Sequence, residues 1–451
     1  MESLKLTNFI SMSGAMEQTS LNKEQRTAVG LLSVGTFLEY FDLMLYVHMA
    51  VLLNELFFPK FAPHTASLLA AFAFCSTFVF RPFGALVFGW IGDNIGRKST
   101  ISITTFLMAG CCFVMATLPT YAEIGLASSV LITICRIVQG MSSMGEIIGA
   151  ELYVTEITKP PLQYSLVTVI AAFANLGTIL ALLIATLITS FGFNWRYAFG
   201  FGLVIAVIGG VARTRLRETP DFVDAKRRMK HKIEKFGFDS KLMDSNPIVL
   251  EKLNKKTILF LFFMDCGWPV AFYITYFYCT TILKDVFHYS PAQIIQHNLI
   301  IAIVNFLERL VLSYLTYKIY PLNILKFKAT IFFIFMLFVP YLLNNLQTPF
   351  ELMLIQMIII VFGCTTLPAV PIIYKHLPVF KRFTCASFTY AFSTAAIYIA
   401  TSFGLIYCTA TLGHYGILAI VIPVTIAFMS GVVHFRNLEK AVTVYSKGSA
   451  N

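Results

Sequence analysis

Two stretches decide the fold: Ile355-Gln-Met-Ile-Ile-Ile-Val-Phe-Gly-Cys-Thr-Thr-Leu-Pro-Ala-Val370 and Thr394-Ala-Ala-Ile-Tyr-Ile-Ala-Thr-Ser-Phe-Gly-Leu-Ile-Tyr-Cys-Thr-Ala-Thr411. Neither alternates polar with apolar residues, so neither reads as a barrel strand facing lipid and lumen in turn. Both read as helices, and at 1.5 Å per residue about 20 such residues cross the core of a bilayer. The surrounding 451-residue chain is 57% hydrophobic and only 13% charged, with a mean hydropathy of +0.75. That charge is too sparse to cover a surface in contact with water. Lipid offers the backbone no hydrogen-bond partner, so each crossing segment must satisfy its own N–H and C=O groups.

Charges, prolines and short polar turns divide the chain into twelve spans. They are 27–53, 66–91, 99–118, 126–154, 164–190, 196–213, 257–283, 293–317, 327–346, 351–374, 384–411 and 413–435. The fold class expected is an all-α polytopic membrane protein. The net charge of +11 could suggest nucleic acid, but its distribution points to topology instead. Of the 34 Lys and Arg, 28 lie in segments that share one side if the N-terminus is cytoplasmic, thirteen of them between Arg213 and Lys256. The opposite side holds only Lys60, Arg196 and Lys284. By the positive-inside rule both termini are cytoplasmic. Residues 1–26 form an N-terminal tail that lacks the apolar core of a signal peptide. Two six-helix bundles (27–213 and 257–435) flank a basic cytoplasmic loop (214–256), with a C-terminal tail at 436–451. The loop is expected to be partly helical and to lie near anionic lipid. Nine cysteines fall inside apolar segments without metal-ligand spacing, so they read as small packing residues, and no metal or other cofactor is expected.

After the second span comes Gly89-Trp-Ile-Gly-Asp93-Asn-Ile-Gly96-Arg97-Lys98. It lacks the spacing of a phosphate-binding loop, which removes the sequence basis for ATP-driven transport. The run resembles the signature loop of the major facilitator superfamily, with Asn94 where a basic residue usually follows the Asp. The resemblance implies a gate in which Asp93, Gly96, Arg97 and Lys98 steady one conformation without touching solute. Further runs are Gly35-Thr-Phe-Leu-Glu39-Tyr-Phe-Asp42, Phe57-Phe-Pro59, Arg81-Pro82-Phe-Gly84, Arg136-Ile-Val-Gln139-Gly140, Gly145-Glu146-Ile-Ile-Gly149-Ala150 and Arg217-Glu218-Thr219-Pro220. Together they resemble the bacterial metabolite:proton symporters, the family of proline/betaine, α-ketoglutarate, citrate and shikimate transporters. The likeness is dense over 27–220 and thin beyond. The loop at Leu312–Pro321 has lost the signature pattern.

Ionisable groups inside spans cost about 2.5–3.5 kcal/mol each on insertion scales, so each needs a partner, water or a function. Glu39 and Asp42 are three apart, on one helical face. Two carboxylates so close repel when both are ionised, which suits a proton carrier; the alternative is that they partner buried arginines. Span four carries Arg136, Gln139 and Glu146 as a stripe. Arg136 is expected to meet a solute carboxylate with Gln139 beside it. Glu146, about 15 Å further in, is expected to join the proton pathway or lock the inner half. Arg81 could pair with a span-one carboxylate near the gate.

In the second half Asp265, Glu308 and Arg309 are expected to serve the gate, with adjacent Glu308 and Arg309 pointing apart and unpaired. Trp268, Phe272 and Tyr276 share one face of span seven, either as a cage for a quaternary ammonium or as packing. Gly267 and Pro269 predict a kink there. The pattern as a whole implies no enzyme but a proton-coupled uptake transporter, monomeric, in the bacterial inner membrane. Its solute would be a small carboxylate such as proline or glycine betaine, or alternatively a di- or tricarboxylate. A membrane sensor that kept the fold without transporting would need a signalling domain beyond it.

Overall fold

The computed structural model describes residues 18–58, 77–214, 216–236 and 253–448. The first part of span two, most of the central loop and the outermost residues of both tails lie outside the described residues. In the first half the helices are α1 (Lys23–Phe57), α2 (Arg81–Asn94), α3 (Arg97–Thr117), α4 (Leu126–Ile157), α5 (Leu162–Phe191) and α6 (Arg196–Arg213). The basic helix α7 (Pro220–Phe236) follows; it buries Phe222 and Ala225 and leaves Lys226, Arg227 and Arg228 exposed.

The second half comprises α8 (Lys255–Asp285), α9 (Pro291–Lys318), α10 (Pro321–Asn344), α11 (Pro349–Phe362), α12 (Val370–Lys375), α13 (Arg382–Leu412) and α14 (Leu418–Gly448). Eight described segments are long and apolar enough to cross a membrane, and one of them, Arg382–Ala441, holds α13 together with most of α14. The shorter apolar helices α6 and α11, with α2 continuing the partly described span two, complete a twelve-span bundle. Large apolar residues such as Phe83, Trp90, Phe338 and Tyr341 remain exposed on it, as a lipid-facing surface requires.

The expected limits need correction in three places. Span ten is not one helix: α11 ends at Phe362, and the chain runs without helix through Gly363–Pro368 before α12. Pro368 and Pro371 withhold N–H groups that an unbroken helix would use. Span nine begins six residues earlier than expected, which carries Lys326 into α10. Most of the supposed C-terminal tail continues α14 as far as Gly448.

Two seams join the halves, α5 packing on α9 and α2 on α13. Each is pinned near the end where the basic loops gather. Ser165 Oγ donates to Ser313 O at 2.8 Å, and Ser313 Oγ donates back to Ser165 O at 3.1 Å. Between α2 and α13 a glycine sets the distance: a Cβ on Gly89 would fall 2.7 Å from Thr384 Cα.

Candidate functional site

Charged residues gather in three places, distinguished by how completely they are paired. The first closes the basic end. Asp93 accepts from the backbone N–H groups of Phe383 and Thr384 at 3.0 and 2.8 Å, so its carboxylate caps the start of α13 from across the seam. Arg97 is fully buried and reaches Gly92 O (2.6 Å), Val379 O (2.8 Å), Asp93 (3.3 Å) and Glu156 (3.3 Å). Arg382 meets the same Glu156 oxygen, Oε1, at 3.1 Å and touches Asp221 of α7 at 3.5 Å. Thr219 Oγ1 donates to Glu156 at 2.6 Å. Gly96 has φ +150°, where side chains are strained, and Glu218 occupies the space a Cβ would need. Glu218 accepts from the N–H groups of Arg97 and Lys98 at 3.0 and 3.3 Å, capping α3. Thus Asp93, Gly96, Arg97 and Lys98 sit in one lock, with Lys98 contributing its backbone.

The second cluster lies within the first half. Asp42 Oδ2 is 3.7 Å from Arg136 Nη1, which donates to Gln139 Oε1 at 3.0 Å while the guanidinium lies 4.0 Å over the Tyr46 ring. Cys112 Sγ is 3.5 Å from Asp42 Oδ1. Arg81 is buried beside Glu39 around a void of about 10 Å³, but no ion pair joins them. Arg81 instead lies 4.5 Å over the Phe78 ring and leaves Nε and Nη2 unpartnered, as Glu39 Oε2 is. Further toward the lock, Glu146 pairs with Arg213 and accepts from Thr104 (3.0 Å) and Thr105 (2.5 Å). Arg213 also donates to the carbonyls of Leu31 and Leu32 at 3.1 and 3.2 Å.

The third place is a cavity of about 1050 Å³ between the halves, reaching from Glu151 and Met264 to Lys284 and Thr409. Trp268, Phe272 and Tyr276 line it together, on the helix that also supplies Asp265. That helix breaks its regular ladder at Cys266 and again in a π turn, Ile274–Tyr278. Gln356 steadies the turn, donating to Thr275 O at 2.7 Å and meeting His297 Nε2 at 2.6 Å. From α9 the cavity receives Asn298, Asn305 and Arg309, spaced at seven and four residues along one face. Asn298 Oδ1, Asn305 Oδ1 and Arg309 Nη1 are buried without hydrogen-bond partners. Glu151 accepts from Tyr374 Oη at 3.1 Å, a contact between the halves at the closed end.

Several expectations change accordingly. Arg136 and Gln139 do not line the cavity, because Asp42 and Tyr46 hold Arg136 on the first-half side of it. Asp265 and Arg309 line the cavity and take no part in the lock. Glu308 and Arg309 do pair, at 3.4 Å. Their Cα–Cβ vectors diverge, but the long arginine folds back to a carboxylate that Lys328 grips from α10 at 2.5 Å.

Sequence reasoning missed Glu151, Glu156, Arg213, Asn298, Asn305, Lys328, Tyr374 and Arg382. Arg213, Lys328 and Arg382 stand at or next to expected span ends and count toward the basic side, yet all three are buried. The helical spacing 298, 305, 309 was readable in advance.

The sequence profile of the Major Facilitator Superfamily matches residues 32–400. The proline/betaine transporter of Salmonella typhimurium is 30% identical over 276 residues, covering 59% of this chain and 54% of that protein. The glycine betaine/proline/ectoine/pipecolic acid transporter OusA of Dickeya dadantii is 30% identical over 277 residues, 59% of this chain and 54% of that protein. The inner membrane metabolite transport protein YhjE of Escherichia coli is 34% identical over 229 residues, 48% of this chain and 51% of its own. The chain thus spans about half the length of the curated relatives it matches. Among solved structures, the proton:xylose symporter XylE superposes with a TM-score of 0.74 at 12% identity, over 92% of this chain and 95% of that one. The human organic anion transporter MFSD10 gives 0.67 at 13% identity, over 92% and 100%. With a profile match over most of its length and the fold of these transporters, the chain belongs to the Major Facilitator Superfamily.

Proposed function

We propose that this protein is a secondary transporter that takes up a small zwitterionic carboxylate together with a proton, by alternating access. The observation that carries this reading is Arg309. Its Nη1 is buried and unpartnered on the cavity wall while its guanidinium lies 4.7 Å over Trp268, so it offers a donor to a solute carboxylate beside an aromatic surface. The lock at Asp93, Arg97, Glu156 and Arg382 closes the basic end of the cavity, which suits the loading state of an importer. Glu39 and Asp42, packed against Arg81 and Arg136, are the proton-carrying candidates, because a buried carboxylate with an arginine neighbour can switch partner when it is protonated. The relatives named for proline and betaine transport support an osmolyte as solute.

A di- or tricarboxylate is the weaker reading. It wants two cations close together, and Arg136, the natural companion to Arg309, is held away from the cavity by Asp42. The protein is taken to act as a monomer in the bacterial inner membrane, with both ends cytoplasmic.

The test is uptake of radiolabelled proline, glycine betaine, α-ketoglutarate and citrate into proteoliposomes with an imposed proton gradient. Accumulation of the zwitterions that collapses with a protonophore is the expected result. Accumulation of the polycarboxylates alone, or uptake indifferent to the gradient, overturns it.

A further inference from the structure

Among the buried carboxylates of the described residues, Glu39 and Asp265 have no salt bridge, and of the two Asp265 is the one that lines the central cavity. It is 8% exposed, it lines the central cavity, and it makes no hydrogen bond or ion pair with any described residue. Glu151 lines the same cavity from the opposite half, within electrostatic reach of Asp265, and its carboxylate has only the neutral Tyr374 hydroxyl as partner. Three other carboxylates are answered by cations: Glu146 has Arg213, Glu156 has Arg97 and Arg382, and Glu308 has Lys328 and Arg309. Two carboxylates on one cavity, neither paired with a cation, are costly to bury, and the cost falls when a positive charge arrives beside them.

The surroundings favour an organic cation. Asp265, Trp268, Phe272 and Tyr276 follow one another at three and four residues along α8, and all line the cavity. A positive nitrogen held at Asp265 therefore has aromatic rings within a turn or two. The orphaned oxygens of Asn298 and Asn305 are a second set of acceptors on the same cavity. We propose that Asp265 and Glu151 form the cation subsite of the cavity, which takes the positively charged nitrogen of an ammonium-bearing solute.

This inference rests on reading the solute as a zwitterion, and it deepens that reading by assigning its positive pole. It also ties occupancy to gating. Glu151 is shared between the subsite and the Glu151–Tyr374 contact, so a cation that claims the carboxylate weakens a bond holding the halves together at the closed end.

The experiment uses the full chain with Trp90→Phe and Trp195→Phe, so that Trp268 is the remaining one of three tryptophans and reports from the cavity. Tetramethylammonium chloride should change its emission saturably, and sodium chloride at equal concentration should not. Asp265→Asn and Glu151→Gln should each weaken the tetramethylammonium response at least about tenfold. In parallel, glycine betaine and its uncharged-carbon counterpart 3,3-dimethylbutanoate compete for uptake. Wild type should prefer betaine, and Asp265→Asn should lose the preference without weakening dimethylbutanoate. An unaltered tetramethylammonium response in both variants overturns the subsite, as does a response to sodium alone. If no zwitterion is taken up but an Asp265-dependent tetramethylammonium response remains, the transport reading fails and the subsite stands.

Discussion

The lock at the basic end and the central cavity are both built from buried charge, yet they treat it in opposite ways. In the lock every buried charge has an opposite charge or a backbone dipole beside it, and of Arg97 only Nε is left without a partner. Arg97 alone meets two backbone carbonyls and two carboxylates, and Asp93 meets two backbone N–H groups. In the cavity Asp265 is unanswered, and Arg309, Asn298 and Asn305 each leave an atom without a partner. Satisfied charge holds one arrangement of helices together; unsatisfied charge raises the energy of the empty state and reserves its interactions for a ligand. The two regions should therefore respond with opposite sign when their charges are removed.

The largest effect is expected at the lock. Arg97→Ala leaves Asp93 and Glu156 buried without their shared cation, and breaking such a pair costs about 3–5 kcal/mol. Transport should be lost, and spin labels at positions 98 and 381 should move apart in double electron–electron resonance. An unchanged distance would mean that Arg97 does not hold this state. Next comes the pair inside the first half. Arg213→Gln strands Glu146 and should lower the thermal midpoint by a comparable amount, while adding Glu146→Gln should restore part of the loss. A double variant no better than Arg213→Gln alone would show that the arginine acts through the Leu31 and Leu32 carbonyls instead.

Asp265→Asn sharpens the contrast from the cavity side. Removing an unpaired buried charge should leave the thermal midpoint unchanged or raise it, worth about 1 kcal/mol, while solute affinity falls. A destabilised Asp265→Asn protein would place this carboxylate among the structural charges.

The smallest effect concerns Asp221, on the basic helix α7 that flanks the lock. Burial, and then the neighbouring Glu156, raise its carboxyl above the ordinary 3.8, with Arg382 working against them. The folded protein therefore holds this proton more tightly than the unfolded chain. The contribution is full below the unfolded value and fades as pH rises through the folded one. Asp221→Asn should flatten that decline in a series of thermal midpoints taken upward from the unfolded value, and the effect is small because solvent screens this half-exposed carboxylate. An identical slope in wild type and variant would exclude Asp221 as its source.

Much of the fold was legible because lipid imposes one rule on every residue of a span. Thr394–Thr411 and Ile355–Phe362 read as helix from hydropathy alone, and α13 and α11 contain them. The break after Phe362 was not read because Gly363–Pro368 carries no charge to interrupt the run that defines span ten. The lock was half legible. Asp93 and Arg97 stood out in a patterned loop, but Glu156 and Arg382 looked like the ends of ordinary spans. The cavity was legible on α8, where the aromatic stripe shares a face, and illegible at Glu151, whose partner Tyr374 lies more than two hundred residues away.

The sequence by itself determined that this chain crosses a membrane about twelve times, which way the basic loops favour it lying, and which side chains are too costly to bury without purpose. Those properties follow from composition and local spacing, since burial in lipid acts on each residue independently of its distant neighbours. Only the tertiary structure decided which charge meets which. It drew Arg213, Lys328 and Arg382 inward to carboxylates, held Arg136 on Asp42, and left Asp265 and Arg309 facing the cavity. Coulomb attraction and desolvation depend on separations of a few ångströms between different helices, and no one-dimensional pattern encodes them.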